Sequence, residues 1–153
     1  MNDTVIQPRP TGHPLAGQTM TGAQMIVQVL AAEGVSAIFG YSGGAILPTY
    51  DAIFLYNEHQ KRTGGQQIPI IVPSNEQAAG FMAAGYARST GRVGVCLVTS
   101  GPGATNTVTP VRDCMADSVP IVVICGQVPT AAIGTDAFQE APVPSIMGAV
   151  AKH

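Results

Sequence analysis

Hydrophobic residues follow two different spacings along the chain. Short continuous apolar runs alternate with longer segments in which apolar residues recur every three or four positions. The first pattern is typical of strands buried on both faces, and the second of amphipathic helices. The runs lie at 35–39, 68–72, 93–99 and 120–125, and the helical segments at 22–33, 45–56, 78–87 and 104–117. This alternation predicts an α/β domain with three layers, α/β/α, around a mostly parallel sheet.

Glu76 comes directly after the second apolar run. Pro73 ends that run and Ser74 is a suitable N-cap, so Glu76 falls in the first turn of the following helix. Ligands of open parallel sheets bind beyond the carboxyl ends of the strands. Glu76 is therefore the candidate catalytic residue, although an acid in a first helical turn can also serve only the helix macrodipole.

Three glycine-containing loops follow the other strands, at 40–44, 100–103 and 126–129. We expect them to open on the same sheet edge as Glu76. Glycine lets a flat ligand approach the backbone, although ordinary turns between strands and helices use glycine as well. None of the loops has the P-loop or dinucleotide-binding pattern. The pattern favours a site for something other than a nucleotide phosphate.

Composition limits the classes of partner. Charged residues make up 10% of the 153 residues, against about 25% in a typical soluble domain. The low fraction suggests that other domains or subunits cover much of the surface. The formal net charge of −2 gives no indication of nucleic-acid or membrane binding, and no apolar run approaches the roughly 20 residues of a membrane span.

Three cysteines without metal-ligand spacing, and no signal peptide, predict a reducing cytoplasm. Residues 1–19 are polar and predict a disordered leader, which leaves 20–153 as the domain.

Pro110 should kink the 104–117 helix or separate its first turn. Residues 145–153 predict the start of a further helix.

Four segments carry a resemblance to a known family. They are FGYSGGAILPTYDA (39–52), SNEQAAGFMAAGYARSTGR (74–92), LVTSGPGATNTVTP (97–110) and GQVPTAAIGTDAFQEAPV (126–143). From about residue 21 to 153 the chain is similar to the pyrimidine-binding domain of acetolactate synthases, which are thiamine-diphosphate enzymes. The second and third segments are shared by many such enzymes, whereas GTDAFQE is more selective for acetolactate synthase.

The resemblance implies a role for Glu76. In this family the matching glutamate hydrogen-bonds N1′ of the aminopyrimidine of thiamine diphosphate. The contact favours the imino tautomer, whose 4′-imine takes the proton from thiazolium C2. The reaction then removes carbon dioxide from pyruvate and adds the remainder to a second 2-oxo acid.

Further site residues are implied in the same way. Tyr41, Gly43 and Gly44 would line the reactive end of the cofactor. The segment after the third strand would contribute to cofactor binding through Ser100, Gly101, Pro102 and Asn106. Together with Gly103, these residues would also shape the sheet edge and a subunit contact. The substrate channel and its mouth would be formed by Pro129, Ala137, Phe138 and Gln139. The small residues of helix 78–87 would let another helix approach closely.

The chain departs from the family in two respects. Ser42 stands where the family usually has proline, so this loop should be looser. The family's Mg²⁺ is held by a second domain with a G-D-G…N motif, and FAD by a central domain, and neither is present in this sequence. The resemblance therefore implies the first third of an enzyme.

The resemblance also implies partners for the complete enzyme. They would be pyruvate and 2-oxobutanoate as substrates, further copies of the chain in a dimer or tetramer, and a regulatory small subunit as a candidate.

Two alternatives stay open at this point. The chain could be the stand-alone pyrimidine-binding subunit of a split thiamine-dependent 2-oxo acid decarboxylase, although GTDAFQE argues against this. It could also be a non-catalytic truncated product that only associates with full-length subunits. The reading frame downstream of His153 would separate the alternatives.

Overall fold

Four parallel strands form the centre of the structure, a computed structural model that describes residues 17–153. The strands are β1 (Ile38–Tyr41), β2 (Ile70–Ile71), β3 (Gly94–Val98) and β4 (Ile121–Cys125). Their order across the sheet is β2-β1-β3-β4, so β2 is added on one side of β1 and β3 on the other. The loops that follow β1 and β3 meet at the point where open α/β sheets bind ligands.

Helices cover both faces of this sheet. The helices are α1 (Gly22–Ala32), α2 (Leu47–Thr63), α3 (Glu76–Thr90), α4 (Pro102–Thr105), α5 (Val108–Ala116) and α6 (Val143–Met147). Short 3₁₀ turns are formed by Gly44–Ile46 and Thr130–Ala132. On one face α1 and α2 pack against β1 and β3, and on the other α3 packs against the sheet with α5 beside it. The predicted three-layer α/β/α fold is confirmed.

β3 explains why the fold needs both layers. Every residue of this strand is buried. Val95 and Leu97 point into the cluster formed with α1 and α2, whereas Cys96 and Val98 point into the cluster formed with α3. Because successive side chains of a strand point to opposite faces, a continuous apolar run requires cover on both sides.

The two edge strands are less buried than their apolar runs predicted. β2 contains only two residues, and Ile71 and Val72 are exposed. Val122 in the middle of β4 is 47% exposed. An edge strand has a neighbour on one side only, so helices that cover the centre of the sheet reach it incompletely.

Helix boundaries also differ from the sequence pattern. Asn75, not Ser74, caps α3, because its extended backbone lets its side chain accept a hydrogen bond from the Ala78 amide at 2.8 Å. Helix α2 continues to Thr63 through what was predicted as a polar connection, and Gly64 ends it with a φ of 74°. Most residues in that stretch are polar helix formers on an exposed face. The loss of apolar periodicity after residue 56 therefore did not mark the end of the helix.

Pro110 has the predicted effect on the segment 104–117. The structure contains two helices there, α4 and α5, and Pro110 is the third residue of α5. Proline is tolerated in a first helical turn because the amides there have no partner within the helix. The break matters for function, because it places Asn106 between the two helices.

Most of the predicted leader, residues 1–16, lies outside the described residues. Within residues 17–153, no helix combines the length and the apolar character that crossing a membrane requires. α6 lies at Val143–Met147, so it begins two residues before the segment 145–153 that was predicted to open a helix, and it ends within that segment.

Candidate functional site

Glu76 is the first residue of α3 and only 9% of it is exposed. Its Oε2 accepts a hydrogen bond of 2.9 Å from Nδ2 of Asn106, which directly follows α4. The structure thus joins the predicted catalytic residue to Asn106, one of the predicted cofactor-binding residues. Within the described chain no hydrogen bond is formed by the second oxygen, Oε1, which remains able to bind a ligand.

Two glycines bring the loops after β1 and β3 together around Thr99. A Cβ placed on Gly43 would lie 2.6 Å from Cβ of Thr99, and one on Gly103 would lie 2.7 Å from its Cγ2. The Cβ on Gly103 would also be 3.7 Å from Glu76 Oε1. Both positions therefore require glycine for packing, and the space beside the free oxygen of Glu76 is bordered by backbone.

Thr99 carries a polar atom that the fold does not satisfy. The residue is 4% exposed, and across residues 17–153 its Oγ1 finds no hydrogen-bond partner. Buried hydroxyl groups are nearly always hydrogen-bonded in native proteins. Apart from this hydroxyl, the site offers a buried carboxylate with one free oxygen and glycine backbone beside it, which fits a flat heteroaromatic ring.

The charge of Glu76 also acts on the core behind it. Burial, and secondly the Glu76 carboxylate, raise the pKa of the Cys96 thiol to about 12. Cys96 is fully buried in β3, so it remains a neutral thiol and is not available as a nucleophile. In the part of the chain that the structure describes, no group of three or more His, Cys, Asp or Glu side chains could hold a metal ion.

The segment predicted as substrate channel lies against the loop after β3. Gly101 has a φ of 52°, and a side chain on it would overlap the backbone of Gln139. Gln139 itself has a φ of 58° and Asp136 one of 55°. Non-glycine residues rarely adopt this left-handed conformation, and where they do the surrounding structure must hold them in it.

Glu140 provides that support. Its carboxylate accepts hydrogen bonds from the Gly134 amide and, at 3.0 Å, from the Ala137 amide. These backbone hydrogen bonds, that of Gly134 first, lower the pKa of the Glu140 carboxyl. Sequence reasoning did not select Glu140 as a site residue. The available signal was an acid closing a segment rich in turn residues, which is common in loops that bind nothing.

The other predicted residues have different degrees of burial. Ser100 is buried at the end of β3, Pro102 opens α4, and Gly44 opens the 3₁₀ turn after β1. Tyr41, Pro129 and Phe138 lie on the surface, Phe138 with 88% of it exposed. The structure therefore joins Glu76, Asn106 and the two glycine loops directly, and leaves these three side chains at the periphery.

Comparison with known proteins finds similar sequences among thiamine pyrophosphate enzymes. A family model described as the thiamine pyrophosphate enzyme, N-terminal TPP binding domain, matches residues 20–147. The mitochondrial acetolactate synthase catalytic subunit of Saccharomyces cerevisiae is 53% identical over 127 residues, which are 83% of this chain and 17% of the yeast protein. The acetolactate synthase of Mycobacterium bovis is 48% identical over 139 residues, 91% of this chain and 21% of that protein.

A third relative is the large subunit of acetolactate synthase isozyme 2 from Escherichia coli. It is 48% identical over 134 residues, which are 88% of this chain and 23% of that subunit. The chain thus spans about a fifth of the length of these relatives. The similarity covers nearly all of the described domain, including both glycine loops and the start of α3.

Proposed function

The chain belongs to the family of N-terminal TPP binding domains of thiamine pyrophosphate enzymes, and from this premise we propose that it is part of an acetolactate synthase catalytic subunit. In this proposal the complete enzyme condenses pyruvate with a second 2-oxo acid, with loss of carbon dioxide, in branched-chain amino-acid biosynthesis. The observation that carries the proposal is the buried Glu76, with one oxygen held by Asn106 and the other free at the switch point of the sheet. The names of the similar proteins from yeast and bacteria support the reaction.

Glu76 and Asn106 would act on the aminopyrimidine half of the cofactor. Bound thiamine diphosphate supplies a thiazolium carbon that stabilises the negative charge left when a 2-oxo acid loses carbon dioxide. Glu76 would share a proton with a ring nitrogen through Oε1, and Asn106 would keep the carboxylate turned toward that nitrogen. The glycine backbones at 43 and 103 would let the flat ring approach without a side chain in the way.

The substrate side of the site is part of the same proposal. Tyr41 and Gly44 would border the reactive end of the cofactor, and Pro129, Ala137, Phe138 and Gln139 would border the channel for pyruvate and 2-oxobutanoate. The support is that Gln139 packs against Gly101, so this segment adjoins the loop after β3. The exposed ring of Phe138 is available to contact a substrate or another subunit.

Other parts of the protein would complete the site. Two cofactor phosphates need Mg²⁺ held by oxygen ligands, and residues 17–153 offer no cluster of acids for it. We assign Mg²⁺ and FAD mainly to regions that the roughly fivefold longer relatives possess.

Large exposed apolar side chains, among them Phe54 and Leu55, support assembly with further copies of the chain as a dimer or tetramer, and with a regulatory small subunit.

The cellular location is proposed from the cysteines. Cys96, Cys114 and Cys125 are all free thiols, which is usual in a reducing compartment. We assign the protein to the cytoplasm. The yeast relative is named as mitochondrial, so fractionation of cells that express the complete protein is the appropriate test.

The proposed reaction is tested with the complete subunit that carries this domain. Supplied with thiamine diphosphate, Mg²⁺ and FAD, it should convert pyruvate to acetolactate and, with added 2-oxobutanoate, form the mixed product. Pyruvate decarboxylated to acetaldehyde without condensation would contradict the proposal and favour the split decarboxylase.

The chain alone should neither catalyse nor bind the cofactor tightly. One hydrogen bond to Glu76 contributes roughly 1–3 kcal/mol, whereas association costs at least about 4 kcal/mol. Calorimetric titration of the purified chain with thiamine diphosphate and Mg²⁺ should give a dissociation constant no tighter than about 1 mM. Micromolar binding would mean that residues of this chain also hold the diphosphate.

A further inference from the structure

Thr99 lies at the end of β3 with its side chain enclosed by the two glycine loops. Its β-carbon and γ-methyl face Gly43 and Gly103, and its Oγ1 would lie 2.8 Å from a Cβ placed on Gly43. The oxygen is shielded from solvent and, within the described residues, is without a hydrogen-bond partner. Valine has nearly the same shape and would fill this space without burying an unsatisfied hydroxyl, so shape alone does not explain a threonine here.

The burial of Oγ1 limits what can become its partner. A ligand beside Glu76 cannot touch an atom with almost no accessible surface, whereas the Gly43 segment packed over the oxygen can. The Gly43 carbonyl already accepts a hydrogen bond from the Ile46 amide at 3.1 Å. The remaining backbone groups of this segment are therefore the candidate partners of Oγ1.

We propose that Thr99 is a positioning residue of the site: its hydroxyl bonds to the backbone of the Gly43 segment when the aminopyrimidine ring is bound. The inference rests on the proposed function, because it requires the ring to bind beside the glycine loops that pack on Thr99. The hydrogen bond then holds the segment at a set distance from Glu76. In the structure the hydroxyl has no partner within residues 17–153.

Two substitutions separate the hydroxyl from the shape of the side chain. Thr99→Val keeps the shape and removes the hydroxyl, and Thr99→Ser keeps the hydroxyl and removes the methyl. In the complete subunit, Thr99→Val should weaken thiamine diphosphate binding about three- to tenfold, the value of one neutral hydrogen bond, while Thr99→Ser should stay closer to wild type. Binding is measured by titrating thiamine diphosphate at saturating Mg²⁺.

Thermal unfolding of the ligand-free chain gives an independent readout. Thr99→Val should leave the melting temperature unchanged or raise it, because it removes an unsatisfied buried group. The matched control is Thr107→Val, which removes a buried hydroxyl that donates to the Ala104 carbonyl at 2.6 Å. This control should lower the melting temperature.

Three results would overturn the inference. They are wild-type cofactor affinity in Thr99→Val, an equal loss in both Thr99 variants, and a fall in the melting temperature of the ligand-free Thr99→Val chain. Failure of the proposed function is distinguishable, because the wild-type subunit would then form no acetolactate whichever residue stands at position 99.

Discussion

Asn106 Nδ2 lies 2.9 Å from Glu76 Oε2 and donates a hydrogen bond to it across a separation of 30 residues in the chain. The two residues stand at the start of α3 and directly after α4, which follow β2 and β3. Asn106 adds no charge, so it orients the carboxylate without neutralising it. The orientation leaves Oε1 beside the backbone of Gly103.

Removal of this contact should reduce catalysis. In the complete subunit, Asn106→Ala deletes a hydrogen bond to a charged group, worth about 1.5–3 kcal/mol, and turnover should fall roughly 10- to 100-fold. Thr109→Ala, an exposed position on the following helix, is the matched control. If the turnover of Asn106→Ala stays within twofold of wild type, Glu76 does not depend on Asn106 for its orientation.

Glu76 should matter more for rate than for folding. Glu76→Gln keeps the size of the side chain and loses its ability to take up a proton, so turnover at saturating cofactor should fall about 10²- to 10⁴-fold. Thermal unfolding of the variant should stay near that of wild type. Glu33→Gln, at the exposed C-cap of α1, controls for loss of one carboxylate. Turnover of Glu76→Gln within threefold of wild type would contradict the assignment.

Two glycines in α3 should respond in opposite ways to alanine. A side chain at Gly80 would overlap Pro110 of α5, so Gly80→Ala should destabilise the chain by about 1–3 kcal/mol. At Gly85 nothing lies within 4 Å of an added Cβ, so Gly85→Ala should stabilise it by about 0.5–1 kcal/mol through helix propensity. Urea unfolding measures both. A stable Gly80→Ala would mean that α3 and α5 can separate at little cost.

Stability should decline at alkaline pH because of two buried acids. Burial raises the pKa of Cys96 from 9.0 to about 12, and that of Tyr50 from 10.0 to about 12. A folded-state pKa above the unfolded value contributes stability that is present below the unfolded pKa and is lost as pH rises toward the folded pKa. For Cys96 the loss therefore runs from about pH 9 to about pH 12.

Urea unfolding at about pH 8 and about pH 10.5 measures this decline. Cys96→Ala should lower the free energy of unfolding at both values and make the decline between them shallower, because the variant lacks one of the two groups. Tyr50→Phe should also make the decline shallower, since it removes the other buried group whose pKa is raised. An unchanged slope in Cys96→Ala would show that this thiol ionises in the folded chain as readily as in the unfolded one.

Ser42 lies on the exposed loop between β1 and the 3₁₀ turn. Ser42→Pro should stabilise the chain by about 0.4–1 kcal/mol, because proline restricts the unfolded chain, provided that the native φ suits proline. Thermal unfolding is the measurement. A clear fall in the melting temperature would show that the backbone at Ser42 is incompatible with a proline.

Sequence alone determined the features that depend on local pattern. The alternation of apolar runs with helical periods predicted the parallel sheet and its two helical layers, and Pro73 followed by capping residues placed Glu76 in the first turn of α3. Pro110 predicted the break between α4 and α5. Each of these follows from backbone geometry and side-chain spacing within a few residues.

Tertiary structure decided which of these local features meet. The sequence contains no signal that orders the strands β2-β1-β3-β4, and that order is what brings Gly43 against Thr99 and Asn106 against Glu76. It also makes β2 and β4 the exposed edges, although their runs are as apolar as that of β3. Side-chain periodicity reports which faces are apolar, whereas the neighbours of each strand are decided by how the whole chain packs.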